Sequence, residues 1–453
     1  MTRQSGLNMM SISRVSFWPV VVLAIQLACM SGTAIAQETQ DVPGQPVQPV
    51  SVVTLLESAA DSLAGDRPAE ALATLRQAES IEPDNPWLWY YTGLAHLQLE
   101  DWYRAMESLD KSRDLLAGFG DPDPALADSI REARSRARRR VFHMGMQIGL
   151  AYDSNVTFLG DAGDTFDVIS GRGDARFLSR FDFAYAPIAD ATERLTIRGR
   201  LAHAWQFSVE DFNYQDYGAT IHYQRRLDEH WVSSLQYDYD ITYLDNESFA
   251  SVHSLTPSLA YAWNGGDGRF RPNETRLSYR IDARDFLFDT ERQFDRDGFV
   301  NAVAFDQSFK FRPIADREWI WDVFAGYSFA SLGTEGREFD EFAHDFYAGV
   351  GVPLRNPWLP ARDMRLNFTA DVQIGDYRRA GLLDRNYDER HDVITTLDLV
   401  LEHPLTADPD RGDLTLNTIV GWTDADSNIV TRDFNAPFRY DKWIVGMQLI
   451  WSW

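Results

Sequence analysis

The residues of this sequence best equipped for chemistry are arginines and aspartates, and they recur at alternate positions among apolar neighbours. Arg180 and Asp182 alternate with Phe181, Phe183 and Tyr185, and Asp238 and Asp240 with Tyr237, Tyr239 and Ile241. Arg276, Arg280, Asp282 and Arg284 are interleaved with Leu277, Tyr279 and Ile281; Arg365 and Asp371 with Leu366, Phe368 and Val372. Arg176, Arg198, Arg200 and Asp398 follow the same pattern. A period of two puts every charge on one face of a strand. Salt-bridged across an interior, such groups narrow or plug it, because buried charges must pair; solvated, they line a conducting channel. Both arrangements are compatible with the sequence. Catalysis is not expected, since there is no Walker loop, dinucleotide glycine pattern, HExxH or nucleophile elbow. His143, His222, Asp238 and Asp240 are the groups a hydrolytic barrel would draw on, but polar residues lining a lumen need no catalytic role.

The elements that position these charges are strands with one greasy and one polar face. The hydrophobic period changes from helical to strand-like over 142–156, FHMGMQIGLAYDSNV, where Phe142, Met144, Met146, Ile148, Leu150 and Tyr152 alternate with small or polar residues. About fourteen such segments run from there to Trp453, with twelve or sixteen also compatible. The span 142–453 allots about 22 residues to each strand and connector, which suits strands of about ten residues crossing a bilayer. The expected fold class is an all-β transmembrane barrel of about 14 antiparallel strands, apolar face to lipid and polar face to the lumen, preceded by a small all-α domain. Tight polar turns at 227–230 and 264–268 alternate with longer acidic stretches near 153–173, 286–295, 377–388 and 424–437, which all fall on one side of the membrane. Pro257 and Pro353 imply a bulge or a strand end, lacking an N–H, and His203 and His253 break the lipid-facing parity.

Of the 453 residues, 25% are charged and 13% aromatic. Only one long apolar run exists, near the N-terminus, which excludes a bundle of membrane helices; barrels escape that filter, and the aromatics suit girdles at two membrane interfaces. Residues 1–36 read as a secretory signal, with Arg3 and Arg14 ahead of an apolar run and Ala34-Ile35-Ala36 as the cleavage site. The only cysteine, Cys29, lies within it, and Gln26 stands where a lipobox has a branched aliphatic. Residues 37–50 form a Pro/Gln/Val linker. The net charge of −25 includes −7 over 37–141 (11 basic against 18 acidic) and −20 over 142–453 (30 against 50). Such a chain is a poor nucleic-acid binder, and no cofactor or metal is expected.

From residue 51 to 140 the period is helical, with a self-similarity of 34 residues. Ala71, Leu75 and Ala78 recur as Ala105, Leu109 and Ser112, and Gly65-Asp66 aligns with Leu99-Glu100. Trp89, Gly93 and Ala105 sit where a tetratricopeptide repeat places its packing residues, and Pro83 closes the first copy. Thr92, His96 and a missing proline after the second copy depart from that pattern. Trp87, Tyr90, Leu94 and Leu97 fall on the helix surface that such repeats offer to partners. Asp123-Pro124 starts a further helix running to about Arg140, whose Arg131, Arg134, Arg136, Arg138, Arg139 and Arg140 suit contact with anionic headgroups, acidic turns or solvent.

The chain ends with Trp443, Val445, Met447, Leu449, Trp451 and Trp453 on one face, and Gly446, Leu449, Trp451 and Trp453 resemble the insertion signal read by the outer-membrane barrel assembly machinery. A signal peptide, two such repeats (51–140), the YDSNV turn at 152–156 and a barrel over 142–453 together resemble the surface lipoprotein assembly modulators. The resemblance implies a periplasmic repeat domain, outer-membrane lipids as surroundings, and help in moving lipoproteins or related protein cargo across that membrane. Exopolysaccharide-export porins also join periplasmic repeats to a barrel, and an Arg-rich lumen suits anionic sugars. A third reading is a barrel whose repeats merely anchor periplasmic partners.

Overall fold

Cap residues and apolar periodicity divide the described residues of 51–141 into five helices. The computed structural model describes residues 51–119, 123–156, 173–263, 268–287, 295–313, 319–336, 339–360, 362–380, 389–408, 411–428 and 439–453. The signal segment 1–36 with Cys29, the linker 37–50, residues 264–267 of one tight turn and most of the four long connectors lie outside the described residues.

The helices are α1 (Val52–Ala64), α2 (Pro68–Glu79), α3 (Pro86–Gln98), α4 (Trp102–Ala117) and α5 (Pro124–Val141). Ser51, Asn85, Asp101 and Asp123 each accept a first-turn N–H, at 3.2, 3.0, 3.3 and 2.9 Å. These bonds satisfy donors that a helix start leaves unpaired. The repeat is visible in the backbone: Asp66 (φ 55°) and Glu100 (φ 59°), 34 residues apart, both turn left-handed between the helices of a pair. Ala71, Ala78 and Ala105 are fully buried, and so is Leu109. Gly93 lets α3 and α4 approach, since a Cβ there would lie 2.6 Å from Leu109 Cγ. Trp89 is half-buried, its Nε1 donating to Pro83 O (2.7 Å) with Lys111 Nζ 3.5 Å from the ring centre. α5 closes the stack by adding Leu126, Ile130, Ala133 and Ala137 to the core around Leu97 and Leu109.

At Phe142 the chain passes from α5 straight into a closed barrel of fourteen antiparallel strands. They are β1 (Phe142–Asp153), β2 (Asp174–Ala189), β3 (Glu193–Gln206), β4 (Tyr214–Arg226), β5 (Trp231–Leu244), β6 (Glu247–Ala262) and β7 (Phe270–Phe286). The second half comprises β8 (Gly298–Phe311), β9 (Trp321–Thr334), β10 (Glu341–Leu354), β11 (Met364–Ala380), β12 (Glu389–Asp408), β13 (Gly412–Ser427) and β14 (Tyr440–Ser452). Each pairs with its sequence neighbours, and β1 pairs with β14 to close the ring. Strands run from 12 to 20 residues rather than about ten. β7, β11 and β13 thus extend into stretches expected to be loops, because their ladders continue past the length a bilayer requires.

At the end of the barrel where β1 begins, three of the turns share one device. Asp190 and Asp228 each accept two backbone N–H groups at 2.8 Å, from Thr192 and Glu193 and from His230 and Trp231. Asn356 does the same for Trp358 and Leu359. Such Asx turns let the chain reverse within a few residues. The opposite end carries the longer connectors, with an exception: β5 and β6 are joined by Asp245 and Asn246 alone, both at positive φ (46° and 65°), the pair a two-residue hairpin demands. Pro353 sits near the end of β10, paired with Arg365. Pro257 produces neither bulge nor strand end: β6 continues through it in register with Leu235 of β5, and only the rungs to β7 lapse at Thr256 and Pro257.

Gly93→Ala is expected to destabilise the helical module by ~1–3 kcal/mol, because fully buried Leu109 has little room to yield. Hydrogen exchange of α3 and α4 amides in the full chain would register this as faster exchange, with the barrel strands unchanged. His96, on α3, provides a pH test. Burial holds its pKa below the usual histidine value, reinforced by Arg104 and Arg76 and opposed by Asp101 and Glu107. A folded-state value below the unfolded one, ~6.5, means that the module is at full stability above that pH. Stability is lost as the pH falls through the unfolded value toward the folded one. The same exchange measurement should show the module loosening between about pH 7.5 and pH 5.5 in the native chain, and His96→Gln should abolish that dependence.

Candidate functional site

The alternation of every strand sorts side chains into two faces, and cross-strand pairs keep the sorting around the ring. Ile148 faces Leu449, Phe305 faces Tyr327, Phe346 faces Tyr327, and Phe368 faces Leu399 and Val350. Ile148, Leu150, Phe181, Phe183, Ile197, Leu201, Val303, Phe305, Phe346, Phe368, Val445 and Met447 on this face are exposed. Aromatics cluster toward both of its ends. Near the start of β1 lie Trp231–Tyr261–Trp263 and Phe270–Phe309 with ring centres 4.6 to 4.9 Å apart, and at the far end Phe177–Trp205, Phe329–Phe342 and Trp422–Trp443 at 5.6 to 6.2 Å. An apolar band between aromatic girdles is the surface a bilayer takes.

Three of the histidines that interrupt the apolar face have a tyrosine hydroxyl within hydrogen-bond reach of one ring nitrogen. Tyr237 Oη lies 2.8 Å from His253 Nδ1, Tyr327 Oη 2.8 Å from His344 Nδ1, and Tyr217 Oη 3.3 Å from His203 Nε2. A tyrosine on the adjacent strand thus partners one nitrogen of each of these three imidazoles where water is excluded. Nothing in the spacing along one strand marks these partners, because the match is made across strands.

The charged residues lie on the opposite face. Arg180 forms a two-pronged pair with Asp182 (2.7 and 2.8 Å). Arg200 bridges Asp216 and Asp240, both at 2.7 Å, and Arg280 and Arg284 flank Asp282 at 3.3 and 3.4 Å. Arg276 pairs with Glu274 (2.8 Å), and Asp238 accepts Thr220 Oγ1 (2.7 Å). Arg365 reaches over Gly351 to Asp322, which also holds Lys310. Tyr347 similarly crosses Gly326 to Asp306. Arg176 and Lys442 converge on Asp153, 1% exposed, at 3.6 and 3.2 Å, tying β2 and β14 to β1. Among the described residues these pairs stay within a strand or join strands at most two apart, so they hug the wall instead of crossing the bore. Arg198, Asp371 and Asp398 have no oppositely charged partner among the described residues. No group of three or more His, Cys, Asp or Glu suited to a metal occurs among them either.

The helical module is bonded to the rim where β1 begins. Tyr103 Oη donates to Ala186 O (2.6 Å), Arg226 pairs with Glu100 (3.1 Å), and Arg194 Nη2 donates to Arg140 O (2.9 Å). Val141, Ala186 and Ala189 pack with Trp102, Tyr103 and Met106. The arginine run on α5 divides between two tasks. Arg134 and Arg136 pair within the module, with Asp110 (2.6 Å) and Glu132 (3.4 Å). Arg139 reaches Asp413 (3.0 Å) and Asp408 O (3.0 Å) at the β12–β13 turn, and Arg138 lies 3.6 Å from the Trp453 ring centre. The acidic turn is thus one partner of this run.

Of the four residues expected on a partner surface, Trp87 is 37% exposed and stacks edge-on with Tyr90 (6.0 Å). Tyr90 and Leu94 are half-buried against the core. Leu97 is 8% exposed and belongs to the core itself: α4 and α5 cover that side of α3, and Leu97 has no surface to offer. Exposed instead beside Trp87 is Phe119, which lines a groove of about 630 Å³ with Pro83, Pro86, Leu116 and the carboxylates of Glu82, Asp84 and Asp123. At the C-terminal strand, Gly446 admits the close approach of β1, since a Cβ would sit 2.9 Å from that of Ala151. Leu449 faces Ile148 of β1, Trp451 donates to Arg411 O (2.7 Å), and Trp453 packs edge-on against Phe142 (5.7 Å).

Fold and surface together define a transmembrane β-barrel with a helical module docked on one rim. No family model and no curated protein matches the chain. Among solved structures it is similar to a bacterial polysaccharide outer membrane secretin (12% identity, 68% of this chain and 98% of that one, TM-score 0.36). It is also similar to the outer membrane channel DcaP of Acinetobacter baumannii (11%, 69% and 96%, 0.35) and to an anion-selective porin of Comamonas acidovorans (8%, 69% and 98%, 0.36). Likeness this slight carries no argument about what passes through this barrel.

Replacing Arg139 by Ala removes both bonds from α5 to the β12–β13 turn. The expected result is a fall of ~1.5–3 kcal/mol in the free energy of local opening at the rim, read as faster hydrogen exchange near the end of α5 and at 411–413. Unchanged exchange there would mean that the module is held by its other contacts, to β2, β3 and β4, without help from Arg139.

Proposed function

We propose that this chain is an outer-membrane translocation barrel whose helical module, built like a pair of tetratricopeptide repeats, receives a protein client in the periplasm. The observation that carries the reading is the attachment of the module. α5 runs into β1 without a break, and side chains of α4, of α5 and of the α3–α4 turn bond to β2, β13 and β4 respectively. A client held on the module therefore sits at the mouth of the lumen, which a simple solute pore does not require. The groove around Trp87 and Phe119, apolar in its floor and acidic at its rim, suits a client segment with an apolar anchor between basic residues. Lipoproteins and related exported proteins are the cargo class this reading favours.

A second reading, a porin for anionic solutes or exopolysaccharide, is favoured by Arg198 on the charged face, without a carboxylate among the described residues, and by the ion pairs of those residues, which keep to the wall. Single-channel conductance in a planar bilayer separates the two. Little conductance from the full chain, or conductance that rises only on removing residues 37–141, is the outcome expected of a translocator whose module governs access. A large steady conductance in the full chain would overturn that reading in favour of the porin.

A further inference from the structure

A cavity of about 290 Å³ lies where the module meets the barrel mouth, between Glu100, Trp102 and Arg140 of the helical module and the β2–β3 turn, β3, β4 and β7. Its barrel wall is built from the charged face, through Arg194, Gln224, Arg226, Glu274 and Arg276, so it opens on the lumen side and not toward lipid. Every carboxylate around it is already engaged. Glu100 holds Arg226 (3.1 Å), Glu274 holds Arg276 (2.8 Å), Glu193 lies 3.7 Å from Arg225, and Asp190 accepts the N–H groups of its own turn. Two guanidiniums remain without a carboxylate among the described residues. Arg194 is held in place by Arg140 O (2.9 Å) and Thr196 Oγ1 (3.4 Å), and Arg140 rests beside the Trp102 ring, 5.4 Å from its centre. Arg198, two inward-facing positions further along β3, is also without one.

We propose that Arg140 and Arg194 form an anion-binding site at the mouth, taking one carboxylate or phosphate group of a molecule entering the lumen. Two guanidiniums with donors left over, one anchored to a helix end and one to the wall, match the oxygens of such a group. The contacts to Arg140 O and Thr196 leave part of the Arg194 fork free to donate. Capping the last carbonyls of α5 would by itself explain Arg194, but it does not explain Arg140, whose side chain serves no cap. The site spans module and barrel, so an occupied site adds bonds across the junction. The inference holds whether the barrel passes protein or sugar.

The test is calorimetric titration of the full chain in detergent with inorganic phosphate and, separately, with glucuronate. Saturable binding of at least one probe at one site is expected, weakened about tenfold or more by Arg140→Gln and by Arg194→Gln and unchanged by Arg365→Gln across the barrel. Which probe binds distinguishes a phosphate-bearing from a carboxylate-bearing ligand. If Arg194→Gln fails to give a heat-resistant folded barrel, Arg140→Gln, altered only at an exposed helix end, carries the test. Absence of saturable binding by both probes, persistence of binding in Arg140→Gln, or equal weakening by Arg365→Gln would each overturn the proposal.

Discussion

Closure of the backbone ladder is the constraint on which everything else rests. A strand in hydrocarbon must pair its N–H and C=O groups along both edges, because an unpaired group has no water to turn to. Fourteen strands meet that demand only when β1 finds β14. The residues at that junction are chosen accordingly. Gly446 allows the close approach, and Asp153, almost wholly buried, gathers Arg176 and Lys442. Ser154 exchanges two bonds with the backbone of Trp443, accepting its N–H through the hydroxyl and donating its own N–H to its carbonyl. The YDSNV turn is therefore the clasp at which the two ends of the sheet are joined.

Once the ring is closed, the inner wall must carry a dense set of charges without collapsing inward. Local pairing achieves this: most of the arginines find a carboxylate on their own strand or on one nearby, and small residues such as Gly351 and Gly326 make room for side chains that reach over them. Among the described residues, Arg194 and Arg198 on β3 are left without a carboxylate, and Asp371 and Asp398 on β11 and β12 without a cation.

Much of this was legible in the sequence because alternation is a property of single strands. The face of Arg180, Asp240 or Arg365 follows from its parity, and the turn at 227–230 from its polar residues. What depended on neighbours was not legible. The tyrosine partners of His203 and His253 come from adjacent strands, so a break in parity along one strand gave no sign that it was matched. Leu97 looked like a surface residue on its own helix and is buried by two others. The length of β12 was underestimated because ladder pairing extends beyond the part that lipid requires, where alternation becomes less apolar. The arginine run on α5 read as one feature, whereas position alone separates Arg134, which stays within the module, from Arg139, which leaves it.

The module touches β2, β3 and β4 on one side of the junction between first and last strands, and β12, β13 and Trp453 on the other. It is a strap laid across the seam. These footholds, from Ala186 to Arg226 on one side and from Asp408 to Trp453 on the other, are far apart in the chain and become neighbours only when the ring has closed, so the strap can be fastened only on a finished barrel. Once fastened, it resists any sideways parting of β1 from β14 at that rim, and whatever leaves the lumen is directed along the axis.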